Sequence, residues 1–347
     1  MKEAFQNTYM KNQYLIQNYE DFQRAPNADG SIWSYDDTNP YVQLPEEMFK
    51  NIDHSITIPS YIFWDNTYYQ VYLPDNCHKM FNNCFSRHID LSYIFDTSNV
   101  TDMSYMFFSC HRVEELNISR LKTSNVESMK NMFQYCEELE ELDLSNFNTS
   151  RVTDMSEMFS GCTKLRSINL SSFNTSNVRS MVHIFKDCKA LENLNVSNFN
   201  TSRVRDMGGI FEACNSLTYL NVSNFDTRNV VNMNNMFAGC THIKSLDLSN
   251  FDTSKVENMS YMFFGCRALT QVNVSRFNTS NVTNMESMFY SCESLNNLSL
   301  SNFDTSRVKN TSGMFDGCPA GPRVKGDFTT TRANKGTGAG NFDALTF

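Results

Sequence analysis

The sequence predicts an α/β solenoid, a stack of about nine to ten coils that each contain a strand, a turn and a helix, with a short parallel sheet on one face. The first observation is a Met-Phe-x-x-Cys pattern that returns every 26 residues up to Cys318 without insertion or deletion. A fixed period in this range is typical of stacked-coil proteins. The second is that a strand-like and a helix-like apolar spacing follow each other in each well-formed period.

The strand of each coil is predicted from alternation. In the unit 139–159, Leu142 and Leu144 alternate with the polar residues Glu141 and Asp143. Alternation with period 2 is the pattern of a half-buried strand. Because every coil repeats it, we expect the strands to stack into a parallel sheet.

The helix of each coil is predicted from apolar residues at spacings of three, three, one and three, which would form the inward stripe of a short helix. In the same coil these residues are Val152, Met155, Met158, Phe159 and Cys162. The preceding segment 148–150 (Asn-Thr-Ser) supplies acceptors suited to capping its N-terminus. Small residues before the cysteine, such as Gly161, fit a sharp exit from the helix.

The sequence divides into three segments. Residues 1–78 are an aromatic-rich block, expected to cap the solenoid or to act as an attachment or carbohydrate-stacking module. Within this block we predict a helix up to about residue 24 and short strands at 56–59, 61–64 and 68–72. Residues 79–318 are the solenoid. Residues 319–347 are a Gly/Thr-rich tail, expected to be irregular.

The repeat unit itself carries a family resemblance. It reads Leu-Asp/Asn-Leu/Val-Ser-Asn-Phe-Asn/Asp-Thr-Ser-x-Val-x-x-Met-x-x-Met-Phe-x-x-Cys over about residues 80–318. This unit resembles the 26-residue bacterial surface-protein repeat, which is related to BspA-like leucine-rich repeats. The resemblance implies a leucine-rich-repeat-like solenoid with a role in cell-surface adhesion or host interaction, and it implies no catalytic residues.

Location has two interpretations. The resemblance implies an extracellular surface, yet the chain shows no signal peptide, lipobox or wall-sorting motif. We therefore keep a phage virion component as the alternative, a structural or receptor-binding protein that docks into a larger assembly through residues 1–78.

Composition excludes several classes of function. A net charge of -9 argues against a nucleic-acid partner, and no apolar run reaches the roughly 18 residues of a membrane span. Enzyme motifs are absent, so we expect no catalytic site and no cofactor. Cys77, His78, Cys84 and His88 lie close in sequence, but they lack the spacing of a structural zinc site, and we expect no metal.

Two ladders of equivalent residues allow both a structural and a functional interpretation. Cysteines one coil apart would lie about 4.8 Å from each other, within disulfide reach, but their inward position after Met-Phe favours reduced core thiols. The repeated threonine, as at Thr149, could form an ice- or glycan-binding surface. We favour corner hydrogen bonding, because a structural corner needs the residue in every coil.

Cations alternate with asparagines along another ladder, from Asn125 and Arg151 to Asn281 and Arg307. Placing a cation in every second coil doubles the distance between like charges and lowers their repulsion. A site for a polyanion would more naturally fill every coil. We therefore predict a solvated face here.

Candidate partner-binding residues lie where the repeat varies. Tyr261, Phe264 and Tyr290 come from adjacent coils and are predicted to form one exposed aromatic patch. Tyr105 and Phe108 occupy the same slots in an earlier coil. Looser packing against a neighbouring element is the alternative interpretation.

The strand side offers a second candidate surface. Glu115 and Glu141, with their neighbours Glu114 and Glu140, form an acidic patch, and Tyr219 lies further along. From these residues and the resemblance we predict a non-enzymatic, surface-displayed binding or adhesion module that recognises a protein or a cell-surface glycan.

Overall fold

The computed structural model describes residues 75–94, 96–296 and 298–319, together with 33–34, 41–43, 55–57, 61–64 and 67–73. Eleven short strands lie in these residues. They are β1 (Trp33–Ser34), β2 (Tyr41–Gln43), β3 (Ile56–Thr57), β4 (Tyr61–Trp64), β5 (Thr67–Tyr72), β6 (His88–Asp90), β7 (Glu115–Asn117), β8 (Glu141–Asp143), β9 (Ser167–Asn169), β10 (Ser245–Asp247) and β11 (Gln271–Asn273).

The strands before the solenoid form a four-stranded sheet in the order β1-β2-β5-β4. β4 and β5 pair antiparallel, while β2 runs parallel to β5. Strands are observed at the predicted positions 61–64 and 68–72. The predicted helix before residue 24 and the tail from residue 320 lie outside the described residues.

The solenoid carries short parallel strand pairs on one side, as predicted. β8 pairs with β9 so that Leu142 lies opposite Ile168, the equivalent residue one coil later. β10 and β11 pair in the same way. β3 adds in parallel to β6, with Ile56 opposite Ile89, so the block before the solenoid supplies a strand next to the first coil. Segments 193–195 and 219–221 are not strands.

The helix predicted in each coil is wrong: no helix occurs in the residues that the structure describes. In the unit 155–162, Glu157 and Gly161 have φ angles of 56° and 77°, a left-handed conformation that ends any right-handed helix. The segment forms tight turns instead, in which the N–H groups of Met158 and Cys162 bond to the carbonyl three residues earlier.

Alternate N–H groups of this segment, those of Met155, Glu157, Phe159 and Gly161, bond to the next coil. Phe159 N–H donates to Ile184 O at 2.9 Å, and Gly161 N–H donates to Lys186 O at 2.7 Å. A helix would direct these donors to its own carbonyls four residues back. Because the turns send them along the stack, each coil is hydrogen-bonded to its neighbour on this side, which we call the turn face.

A one-residue parallel bridge runs through the solenoid beside the turn face. Each bridge joins a residue to the equivalent residue of the next coil. The residues are Asn76, Asp102, Ser128, Asp154, Ser180, Asp206, Asn232, Asn258, Asn284 and Asn310. The side chains also close local turns, as where Asp154 Oδ1 accepts the N–H of Ser156 at 2.8 Å. Local acceptors of this kind stabilise turns. The solenoid prediction is thereby confirmed.

The core lies between the strand side and the turn face and is one continuous cluster. The phenylalanine of Met-Phe-x-x-Cys stacks on its equivalent in the next coil, as where Phe159 and Phe185 have ring centroids 5.5 Å apart and an interplanar angle of 7°. Inward methionines, leucines and cysteines fill the remaining space. The residues predicted to face inward do so, although turns rather than helices carry them.

Candidate functional site

The threonine ladder is structural. Thr149 is fully buried; its Oγ1 donates to Asn174 O at 3.0 Å and accepts from Asn174 N–H at 2.8 Å. The same exchange links Thr175 with Asn200 and Thr201 with Asp226. A buried hydroxyl cannot present an ice- or glycan-binding surface, so the corner interpretation is confirmed.

The cysteine ladder is also structural. The ladder members from Cys110 to Cys318 are free thiols, and each Sγ donates to the carbonyl of a phenylalanine 29 residues earlier, as Cys162 does to Phe133 O at 3.1 Å. Burial raises the pKa of the Cys162 thiol to about 12, and of the Cys266 thiol likewise. Buried thiols with a raised pKa are unreactive, because the thiolate is the nucleophile.

The alternating cations are held by hydrogen bonds from one coil to the next. Arg151 Nη1 donates to Asn125 Oδ1 at 2.9 Å, and Asn125 Nδ2 donates to Ser98 O at 2.6 Å. Arg203, Lys255 and Arg307 repeat this contact with the asparagine one coil earlier. The alternation is therefore a two-coil hydrogen-bonding unit as well as a spacing of charges.

The structure brings Tyr261, Phe264 and Tyr290 together on the turn face, and we call them the second aromatic cluster. Tyr261 and Phe264 have ring centroids 5.7 Å apart, and Phe264 stacks on Tyr290 at 4.9 Å and 9°. Tyr261 and Phe264 are half-buried and Tyr290 is 36% exposed. Tyr261 O–H donates to Glu286 Oε1 at 2.6 Å, and this bond raises the pKa of the phenol. Partner binding by these residues stays a prediction.

Tyr105 and Phe108 lie in a similar group with Tyr135, and we call these three the first aromatic cluster. The Tyr105 and Phe108 centroids are 5.4 Å apart, and Phe108 meets Tyr135 edge-on at 5.8 Å. Tyr135 is 40% exposed. Sequence reasoning missed Tyr135, because it occupies the second left-handed position of its coil rather than the slot after Met-Phe.

The strand side is more polar. Tyr219 is 69% exposed and lies in segment 219–221, which is not a strand. Glu115 and Glu141 are exposed on their strands. The acidic patch is partly neutralised by arginines from adjacent coils, since Arg87 bonds Glu114 at 2.7 Å and Arg166 lies 3.5 Å from Glu140.

A charged cluster in the middle of the turn face was not anticipated. His183 Nε2 lies 3.5 Å from Glu212 Oε2, and Lys186 Nζ lies 3.1 Å from Glu212 Oε1. A Cβ on Gly209 would lie 2.6 Å from His183 Nε2, so glycine makes room for the imidazole to reach Glu212. The Gly208-Gly209 pair was the available sequence signal.

The part of the chain that the structure describes has neither a metal-binding group nor a membrane-spanning helix. It contains no group of three or more His, Cys, Asp or Glu side chains arranged to hold a metal ion. It also contains no helix with the length and hydropathy needed to cross a bilayer.

Comparison with known proteins identifies a family. The model of the family described as "Mycoplasma protein of unknown function, DUF285" matches residues 75–193, 139–245 and 210–328, which together cover well over half of the chain. Among curated proteins, no sequence matches.

Two solved structures are similar at low identity. A leucine-rich repeat protein from Bacteroides ovatus ATCC 8483 is 18% identical with a TM-score of 0.33, and the match covers 80% of this chain and 68% of that one. A leucine rich cell surface protein from Faecalibacterium prausnitzii A2-165 is 14% identical with a TM-score of 0.28, covering 81% and 92% respectively.

Proposed function

The chain belongs to the DUF285 family of repeat proteins, a family of unknown function, and we therefore propose its function from its surfaces. We propose that it is a non-enzymatic, surface-displayed module that binds a protein or glycan partner through the turn face. The observation that carries the proposal is the second aromatic cluster, in which Tyr261, Phe264 and Tyr290 form one contiguous group with an exposed ring. Exposed aromatic groups on a rigid scaffold are typical of binding sites.

The use of the recurring polar residues supports a binding role rather than catalysis. The repeated threonine and cysteine side chains hold adjacent coils together, as Thr149 and Cys162 illustrate. The asparagine and arginine ladder is likewise engaged from coil to coil. These three sets of recurring side chains are thus committed to the stack, and the variable exposed side chains are available to a partner.

A binding screen tests the proposal. The purified full chain is applied to a glycan array and to bacterial and host cell surfaces, and every hit is repeated with the Tyr261→Ala/Phe264→Ala/Tyr290→Ala variant. We expect at least a tenfold weaker interaction, since aromatic anchors dominate such contacts. Tyr93→Ala, which removes a tyrosine that is 56% exposed elsewhere, is the matched control and should bind normally.

Three results would count against this proposal. Binding that is equal in the triple variant and the wild type would exclude the second aromatic cluster as the contact surface. Loss of binding in Tyr219→Ala instead would place the contact on the strand side. Turnover of any glycan by the purified chain would overturn the non-enzymatic assignment.

A further inference from the structure

The cysteine ladder ends in a pair of thiols that differ in exposure. Cys318 is the last member, since no further Met-Phe-x-x-Cys follows it in the sequence. Among the cysteines of the described residues, Cys318 is partly exposed and the others are buried. Cys292, one coil earlier, is 0% exposed. The ladder therefore ends in a thiol that solvent reaches, next to a thiol that the core shields.

The stacking of the last two coils places this cysteine pair within range of a disulfide. Phe289 and Phe315, three residues before the two cysteines, have ring centroids 5.6 Å apart and an interplanar angle of 3°. Ser291 N–H donates to Asp316 O at 2.7 Å, which fixes the register of the coils just before the cysteines. Equivalent residues of paired strands lie about 4.8 Å apart, and disulfides join Cα atoms that are about 4.4–6.8 Å apart.

The two thiols also contact each other. Cys292 Sγ lies 3.2 Å from Phe263 O, and Cys318 Sγ lies 3.1 Å from Phe289 O. The two side chains therefore point the same way from their coils, and their sulfur atoms are in hydrogen-bond contact. This contact lowers the pKa of the Cys318 thiol below its ordinary value of 9.0 and raises the pKa of the Cys292 thiol. A lower pKa enriches the thiolate, which is the form that reacts.

A second pair in the ladder has the same contact without the exposure. Cys110 and Cys136 are both buried. Burial, together with a hydrogen bond to Cys110, raises the pKa of the Cys136 thiol well above its ordinary value. Oxidation of a thiol depends on its thiolate character and on its exposure. Only the pair at the end of the ladder combines an accessible sulfur with an adjacent partner, and the buried pair is a control within the same chain.

We propose that Cys292 and Cys318 are an oxidation site, which a peroxide converts into a disulfide between the last two coils of the solenoid. The Cys318 thiolate attacks one oxygen of the peroxide, the O–O bond breaks, and hydroxide leaves, so that Cys318 becomes a sulfenic acid. The Cys292 sulfur then attacks the Cys318 sulfur. The S–O bond breaks, and the Cys292 proton leaves with the departing oxygen as water. Two thiols and one hydrogen peroxide thus give one disulfide and two waters.

The disulfide would fasten the least buried coil of the repeat. Val308 and Phe315 are only partly buried, whereas their equivalents one coil earlier, Val282 and Phe289, are 0% exposed. Each coil of a solenoid is stabilised by its neighbours, so the last coil should open before the interior ones. A covalent bond to the preceding coil opposes this opening. The inference does not depend on the proposed binding function.

The first experiment maps the thiols of the full chain. Reduced protein is treated with hydrogen peroxide, unfolded in iodoacetamide, and digested with trypsin for mass spectrometry without reduction. We expect a Cys292–Cys318 disulfide, with Cys110 and Cys136 alkylated as free thiols. Iodoacetamide applied to the folded, reduced chain should label Cys318 about tenfold or more faster than Cys136. No faster labelling of Cys318, or a Cys110–Cys136 disulfide that forms as readily, overturns the proposal.

Two variants test the order of the steps. In Cys292→Ser the sulfenic acid has no partner, so dimedone should trap it at Cys318 after peroxide treatment. In Cys318→Ser the disulfide should not form, and Cys292 should stay reduced. A dimedone adduct that accumulates equally in the wild type, or a Cys318–Cys318 link between two chains as the main product on a non-reducing gel, contradicts the pairing.

Limited proteolysis tests whether the disulfide holds the last coil. Arg307 and Lys309 are exposed trypsin sites in that coil. Cleavage at these sites should be about threefold or more slower after peroxide treatment, because cleavage follows local opening, and dithiothreitol should restore the original rate. Cys318→Ser is the control and should be cleaved at the same rate with and without peroxide. Equal rates for the oxidised and reduced wild type would refute the fastening role.

Discussion

Replacing Thr149 with valine tests whether the threonine ladder holds the coils together. Valine keeps the volume of the side chain but removes the hydroxyl. The Asn174 N–H and C=O groups then lose the partner that they contact at 2.8 and 3.0 Å. Valine cannot replace either bond, and the backbone of the two coils is fixed by further hydrogen bonds.

The magnitude follows from the two orphaned groups. Each buried polar group left without a partner costs about 1–3 kcal/mol. Solvent partly reaches the Asn174 side of the contact, so we expect the free energy of unfolding to fall by about 2–4 kcal/mol rather than by the full sum. This is a large share of the ~5–15 kcal/mol that stabilises a typical protein.

Urea unfolding followed by intrinsic fluorescence and circular dichroism gives the change. Thr153→Val is the matched control, because Thr153 lies in the same coil, is exposed, and donates one hydrogen bond of 3.3 Å to Glu127 O. It should change stability by less than about 0.5 kcal/mol. Equal stabilities of Thr149→Val and wild type would refute the assignment of the ladder to coil-to-coil bonding.

Two further predictions concern burial and backbone shape. Burial raises the pKa of the Cys162 thiol from 9.0 to about 12, so the thiol's contribution to the free energy of unfolding is complete below pH 9 and is lost as the pH rises toward 12. Urea midpoints at pH 8 and pH 11 should show that Cys162→Ser loses less stability over this range than the wild type. An equal loss in both proteins would contradict the assignment of Cys162 as a buried thiol. Gly161→Ala and Gly265→Ala each place alanine at an equivalent position with a positive φ. Only at Gly161 would the new Cβ meet the Tyr135 ring, 2.9 Å from its Cε1, so thermal melts should show Gly161→Ala to be the less stable variant. The reverse order would show that the Tyr135 ring moves aside without cost.

Much of the fold could be predicted from the period. The spacing of Met158, Phe159 and Cys162 identified inward residues correctly, because the 26-residue repeat places them on one side of every coil. The same spacing of three, three, one and three also fits a helix, and this ambiguity produced the wrong helix prediction. Apolar spacing reports which residues face the core and does not report the sign of φ.

A signal for the turns was nevertheless present in the sequence. The two left-handed positions hold glycine or asparagine in several coils, as at Asn131, Gly161 and Gly239. These residues adopt a positive φ at least cost. Two such columns four residues apart contradict a continuous helix, and reading the repeat column by column would have shown it.

Only part of the candidate site could be predicted from the sequence. Contact between Tyr261, Phe264 and Tyr290 follows from adjacent coils and one shared slot, both visible in the sequence. Tyr135 lies in a different slot, and its contact with Phe108 depends on how the turn directs its ring over Gly161. That direction is a property of the left-handed backbone, which apolar spacing does not report.

The most direct test of the left-handed turns is Ala213→Gly, because the turn and helix interpretations predict opposite signs. Ala213 has a φ angle of 56°. Relief of a left-handed alanine is worth about 1–2 kcal/mol, and the added backbone entropy of glycine offsets about 0.5–1 kcal/mol of this.

The free energy of unfolding in urea should therefore rise by about 0.5–1 kcal/mol in Ala213→Gly. Ala238→Gly, a buried alanine without a positive φ in the next coil, is the control and should be destabilised. If the segment were helical, Ala213→Gly would instead lose about 1 kcal/mol. A gain supports the turns that position both aromatic clusters, and a loss contradicts them.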